Sequence, residues 1–168
     1  LVHIFIAVVL GVLIVNYVAQ ITVVSGNSME KTLHNGDRLI IEKISPRLGN
    51  INRGDIVTID DPVKLDLRTS PIIKRVIGIE GDLVEIRDGK VYVNEEELKE
   101  DYINGDTTLE VNKDYSKVRV EEGCVYVLGD NRLPNESKDS RTIGTENVDN
   151  ITGRAMLRFF PFNTFYLF

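Results

Sequence analysis

Residues 85–94 read EIRDGKVYVN. Ile86, Val91 and Val93 alternate with polar neighbours at a period of two, the pattern of a half-buried strand. Asp88-Gly89 lies between the two halves, and that pair favours the positive-φ turn of a two-residue hairpin. This hairpin guides the reading of the whole chain after Ser25. Runs of the same texture recur in DRLIIEKI, GDIVTI, PIIKRVIGI, KVRVEEGCVYVLGD and ITGRAMLRFF. Turn-forming residues in HNGD, RLGNINRGD, IEGD and GDN punctuate them. The pattern predicts a mainly β domain, closed on itself or folded into a partly open barrel, with no long helix after the first segment. Residues 94–117 are polar, acidic and poorly periodic, and are expected to form a small solvent-facing cap. The aromatics of LRFFPFNTFYLF suit core packing or a membrane-facing rim.

Upstream of this β-rich body, Leu1–Val24 contains no Asp, Glu, Lys or Arg. As one helix, about 24 residues at about 1.5 Å each would span roughly 36 Å, enough to cross a bilayer with some tilt. The apolar stretch is longer than a secretory h-region and has no basic n-region. The expectation is a transmembrane anchor over residues 1–24, a catalytic domain over residues 25–168, and contact with a phospholipid bilayer.

Composition narrows the chemistry. The chain has 168 residues, enough for one medium domain and an accessory element, and a formal net charge of −6. That charge supplies no basic surface for tracking phosphates, which argues against nucleic-acid partners. The one cysteine, Cys124, excludes an intrachain disulfide and a cysteine metal cluster. With only His3 and His34, a histidine-rich metal site is not expected. Acidic residues leave a carboxylate site open, although a charge run is ordinarily a solvated face. No phosphate loop, EF-hand spacing or zinc-hydrolase helix is present, and no cofactor is called for.

Three places carry candidate chemistry. Ser28 follows Gly26 and Asn27 where the apolar run gives way to the β-rich body, and a serine there needs a base to become a nucleophile. His34 is one candidate base and equally an exposed turn residue. Lys74 interrupts the apolar strand PIIKRVIGI, where alternation turns one of Lys74 and Arg75 inward. An inward lysine loses hydration, its pKa falls, and the neutral amine can take a serine proton. An edge-strand lysine with its charge in water fits the same pattern. The third place is GDNRLPNESKDSRTIG, Gly129–Gly144, which allows an Asp139–Arg141 pair with Ser137 beside an amine, or a side-chain-stabilised surface loop.

Taken in order, SGNSMEKTL, GDRLIIEK, GDIV, KRVIGIEGD and GDNRLPNESKDSRTIG resemble the bacterial type I signal peptidases (leader peptidases), in particular the short Gram-positive form. The resemblance runs through most of the chain. It implies a fold shared with the SOS repressors, a partly open β-barrel catalytic domain, here with an N-terminal transmembrane helix. It further implies a serine-lysine dyad, with Ser28 as nucleophile and Lys74 as general base. Ser137 would hydrogen-bond and orient the lysine, Asp139 and Arg141 would support it as a pair, and Met29 would pack near the substrate pocket. Asp130 and Asn131 would position the Ser137 segment. The implied substrates are exported preproteins carrying signal peptides, and the implied location is a single-pass membrane protein with its domain on the extracytoplasmic side. Two positions depart from the family pattern: Lys31 and Glu80 stand where the family usually has proline. A β-domain that binds peptides without cleaving them is a second reading. A soluble self-cleaving repressor-like protease is a third, and it requires Leu1–Val24 to be core.

Overall fold

The computed structural model describes residues 1–61, 63–65 and 71–168. The hairpin at its centre forms as the alternation dictates. Strand β5 (Leu83–Arg87) pairs antiparallel with β6 (Lys90–Val93), from Val84↔Val93 to Arg87↔Lys90. Asp88 and Gly89 take positive φ, 51° and 76°, the sign that this tight turn demands. The inward residues Val84, Ile86, Val91 and Val93 bury against Ile77, Val120, Tyr126 and Leu128. With β7 (Glu96–Glu97) and β8 (Lys117–Arg119) the hairpin makes a small sheet in the order β7-β6-β5-β8.

The larger sheet uses β1 (Ala19–Val23), β2 (Arg38–Glu42), β3 (Ile56–Ile59), β4 (Ile72–Ile79), β9 (Cys124–Leu128), β10 (Glu146–Asn147) and β11 (Ile151–Phe160). Their order is β1-β2-β11-β3-β4-β9-β10, and β12 (Tyr166–Leu167) also pairs with β11. Register shifts break the β11 ladders with β2 and β3, and the β4–β9 ladder between Val76 and Gly78. Such irregularities bend a strand and increase its twist. The result is a curled, partly open half-barrel, in which β1 and β10 are the ends of the order and do not pair with each other. One apolar cluster joins Val24, Met29, Leu33, Leu39, Ile41, Ile56 and Ala155, and another joins Val57, Ile59, Val76, Val125, Val127 and Ile151.

The N-terminal segment corrects an expectation. Helix α1 covers only Val2–Tyr17, 16 residues, and the chain then enters β1 instead of continuing as helix. At about 1.5 Å per residue the helix is roughly 24 Å long, short of a hydrocarbon core of about 30 Å. No helix among the described residues is long and apolar enough to cross a membrane. The expected transmembrane helix over residues 1–24 is therefore not found, and the single-pass, extracytoplasmic localisation that rested on it falls as well. The physical reason combines local propensity with partners further along the chain. Ala19–Val23 carries the β-branched Ile21, Thr22 and Val23 and pairs with β2 from Ala19↔Glu42 to Val23↔Arg38. Lys43 and Arg47 cap the helix end: Lys43 Nζ donates to the Val15 carbonyl at 3.0 Å, and Arg47 to those of Asn16 and Tyr17 at 2.9 and 3.1 Å.

Gly153 lets β11 run close against β2. A Cβ there would lie 2.3 Å from Ile41 Cγ2 and 2.9 Å from the Glu42 carbonyl oxygen. Gly153→Ala is expected to cost about 1–3 kcal/mol in chemical denaturation through overpacking. A variant as stable as the parent protein would show that the two strands can separate freely.

Candidate functional site

Lys74 is the lysine that interrupts the apolar strand, and it points inward. It sits within β4, paired with Val57 of β3, and only 2% of its surface is exposed. Its Nζ donates to Ser28 Oγ at 2.8 Å and to the Ile73 carbonyl at 2.8 Å. Burial pushes its pKa from the ordinary 10.5 down to about 8. Asp139 and Asp130 pull it back up, and Arg141 adds to the lowering. Desolvation wins, so the neutral amine is accessible near neutral pH.

Ser28 stands in the turn that follows β1. Gly26 takes a φ of +89°, a conformation that side chains disfavour, and its N–H donates to Asn35 Oδ1 at 3.0 Å. Met29 faces away from solvent into the apolar cluster below. Asn131 holds the turn from the other side: its N–H donates to the Ser28 carbonyl at 3.0 Å, and its Nδ2 to the Asn27 carbonyl at 3.0 Å. Asp130 accepts from Thr32 Oγ1 at 2.5 Å and takes a two-point bond from Arg75, Nε at 2.9 Å and Nη2 at 2.6 Å. Thus Arg75, next to Lys74 in sequence, braces the serine turn through Asp130. The expected role of Asp130 and Asn131 was to position the Ser137 segment, whereas their side-chain bonds run to the Ser28 turn, to Arg75 and to residues 104 and 133.

Asp139 and Arg141 make a buried two-point pair, both bonds 2.9 Å. Asp139 also caps the short helix α3 (Ser140–Ile143), and its Oδ2 accepts from the Gly129 N–H at 3.0 Å. Burial raises the Asp139 pKa, but the Arg141 hydrogen bonds and charge outweigh that and hold it below the ordinary carboxylate value. Gly129 is the tightest point. A Cβ there would lie 2.2 Å from Ser137 Oγ and 2.5 Å from the Ser28 carbonyl oxygen. Ser137 is therefore brought beside the Ser28 segment and near Asp139, whose carboxylate it helps to stabilise, although among the described residues its buried Oγ makes no hydrogen bond of regular geometry. The expected bond from Ser137 to Lys74 is not made in this arrangement.

These groups open onto a cleft of about 500 Å³ lined by residues 22–29, Thr58, 71–74, Glu136 and Lys138. Two strand edges border it. Among the described residues β1 pairs with β2 on one side only. Ile72–Lys74 extend beyond the β4–β9 ladder, which starts at Arg75↔Leu128. His34, the other candidate base, is exposed and pairs with Glu30 at 3.2 Å. Lys31 is exposed and does not line the cleft. Among the described residues no group of three or more His, Cys, Asp or Glu is placed to hold a metal ion. Arg75, Thr32 and Gly129 were not singled out from sequence, and only the charged pair Lys74-Arg75 inside an apolar strand hinted at one of them.

The chain matches the family model described as "Signal peptidase, peptidase S26" over residues 1–160. It is 36% identical over 167 residues to the signal peptidase I of Bacillus licheniformis, covering 95% of this chain and 87% of that protein. It is 42% identical over 157 residues to a probable signal peptidase I-2 of Synechocystis, covering 92% of this chain and 69% of that one. A crystal structure of a signal peptidase I from Enterococcus faecalis V583 is 32% identical, covers 62% of this chain and 95% of its own, and has a TM-score of 0.48.

Asp139→Asn would leave the buried Arg141 charge without its counter-ion. At neutral pH it is expected to cost about 3–5 kcal/mol in urea unfolding. Because the native pKa is depressed, the contribution of Asp139 is present above its unfolded value of 3.8 and is lost as pH falls through the native one. The difference between variant and parent should therefore shrink in acid, and a difference independent of pH would contradict the ion-pair account.

Proposed function

This chain belongs to the signal peptidase family, peptidase S26, and we propose on that premise that it is a serine endopeptidase that removes N-terminal signal peptides from exported preproteins. Ser28 is the nucleophile and Lys74 the general base. The observation that carries this reading is the 2.8 Å approach of Lys74 Nζ to Ser28 Oγ in a site that lowers the lysine to about 8.

In the reactive form the amine of Lys74 is neutral and accepts the Ser28 hydroxyl proton as Oγ attacks the scissile carbonyl. The Ser28 N–H serves as one donor to the developing oxyanion. The resulting Lys74 ammonium returns its proton to the leaving amine, and the mature protein departs. The signal peptide remains as an ester on Ser28. A water deprotonated by Lys74 then attacks that ester and releases the signal peptide. The preprotein lies extended in the cleft, adding a strand along the open edges at β1 and Ile72–Lys74, which supply backbone donors and acceptors. The apolar lining from Val23, Met29 and Ile72 suits small side chains before the cut. Asp139, Arg141, Asp130 and Asn131 contribute by fixing the positions of Lys74 and Ser28, not by exchanging protons.

Ser28→Ala and Lys74→Ala are each expected to lower cleavage of a labelled preprotein by roughly 10³-fold or more while retaining the fold. Full activity in either variant would defeat the assignment. Peptide binding without any product from the parent protein would favour a non-catalytic binding domain. The rate should also follow the lysine. Below about 8 Lys74 is protonated and cannot accept a proton, so log kcat/KM should climb with unit slope and level off above that point. A rate flat across neutral and mildly basic pH would exclude Lys74 as the base.

A further inference from the structure

The segment 94–117 does more than cover the hairpin. Arg132 lies just beyond Gly129 and is buried, and its Nε donates to the Gly129 carbonyl at 2.8 Å. The rest of its guanidinium is taken by Glu100, through Nη1 at 3.0 Å and a second bond from Nη2, and by Thr108 Oγ1. The two side chains of this ion pair are 0% and 6% exposed. Gly129 is thus gripped on both sides, its N–H by Asp139 and its carbonyl by Arg132. Asn104 adds a backbone clasp, donating to the Asp130 carbonyl at 2.8 Å and accepting from the Arg132 N–H at 2.9 Å. Tyr102 completes the contact, with the Arg75 guanidinium 4.0 Å over its ring and its hydroxyl donating to Glu100 at 3.0 Å.

A solvent-facing cap has no need of a buried ion pair, because desolvating both charges cancels much of their attraction. What such a pair supplies is a fixed geometry. Gly129 is where that geometry matters, since it has no spare room against the Ser28 carbonyl and Ser137 Oγ. We propose that the Glu100–Arg132 pair is a positioning brace: it transmits the placement of residues 100–108 to Gly129, and through Gly129 sets the approach of Ser28 to Lys74. Glu100 and Arg132 touch neither substrate nor the reacting atoms. The inference rests on the serine-lysine reading above for its effect on rate, although its effect on Lys74 does not depend on cleavage.

The test compares the parent protein with Glu100→Gln, the double variant Glu100→Met/Arg132→Met, and Glu97→Gln. Glu97 pairs with Lys90 on the exposed face of the same region and serves as the control. Removing both buried charges together spares the fold the unpaired charge that a single change leaves. For Glu100→Gln and the double variant the expected result is a fall in kcat of roughly 10- to 100-fold with KM within about twofold, the mark of a misplaced reacting pair. The basic shift of the pH profile should accompany it, because a loosened site lets water reach Lys74 and relieves the burial that lowers its pKa. Nitrogen NMR of Lys74 Nζ should report the same upward shift, and Glu97→Gln should change neither reading. A kcat and a Lys74 titration both equal to the parent's would overturn the brace. So would a rate lost in equal proportion at every pH, with Lys74 titrating as in the parent, since that is mere loss of folded protein. If the parent protein cleaves no preprotein, the serine-lysine reading fails, and the Lys74 titration in the same variants still decides the brace.

Discussion

An ammonium withdrawn from water is the constraint around which this molecule is arranged. Lys74 is enclosed by the strands of a curled sheet, and among the described residues its hydrogen-bond partners are Ser28 Oγ and the Ile73 carbonyl. Neither partner carries a compensating charge. A group in that position is costly as a cation, and the cost appears as a pKa lowered to about 8. The half-barrel is what makes the enclosure. Without the bends in β4 and β11 the sheet would be flatter, and the lysine would lie on a solvated face.

The surrounding charges determine how far the lowering goes. Asp139 and Asp130 both favour the ammonium, but each is already held by an arginine, Asp139 by Arg141 and Asp130 by Arg75. A carboxylate so paired has much of its field spent on its own partner. Lys74 therefore feels the apolar enclosure more strongly than the acids near it. The same pairs fix the backbone, since Asp139 holds Gly129 and Asp130 holds the turn after Ser28 through Thr32. Electrostatic tuning and geometric support come from the same residues.

Much of this was legible in the sequence because strand alternation is local. The hairpin at Asp88-Gly89 and the β-rich runs follow from side-chain periodicity, whereas alternation in PIIKRVIGI left open which of Lys74 and Arg75 turns inward, and the structure places Lys74 Nζ 2.8 Å from Ser28 Oγ. The end of α1 was not legible. No charge interrupts Leu1 to Val24, and helix gives way to strand where the β-branched Ile21, Thr22 and Val23 pair with β2, some twenty residues on, and where Lys43 and Arg47 meet the helix end. Side-chain partners across the fold were equally hidden. Ser137 lies beside Gly129 and near Asp139 and makes no bond to Lys74, Asp130 serves the Ser28 turn, and Glu100 meets Arg132 from a segment whose polarity suggested only a solvated loop. These depend on how two sheets meet, which no local pattern encodes.

The central claim is that Ser28, activated by Lys74, carries the peptide through an ester. Mass spectrometry of protein quenched in acid during turnover of a slowly processed preprotein tests it most directly. The expected result is a signal-peptide adduct on Ser28 that is absent when Lys74 is replaced by alanine. An adduct on another side chain, or continued turnover with Ser28 unmodified in every quenched sample, would contradict the account.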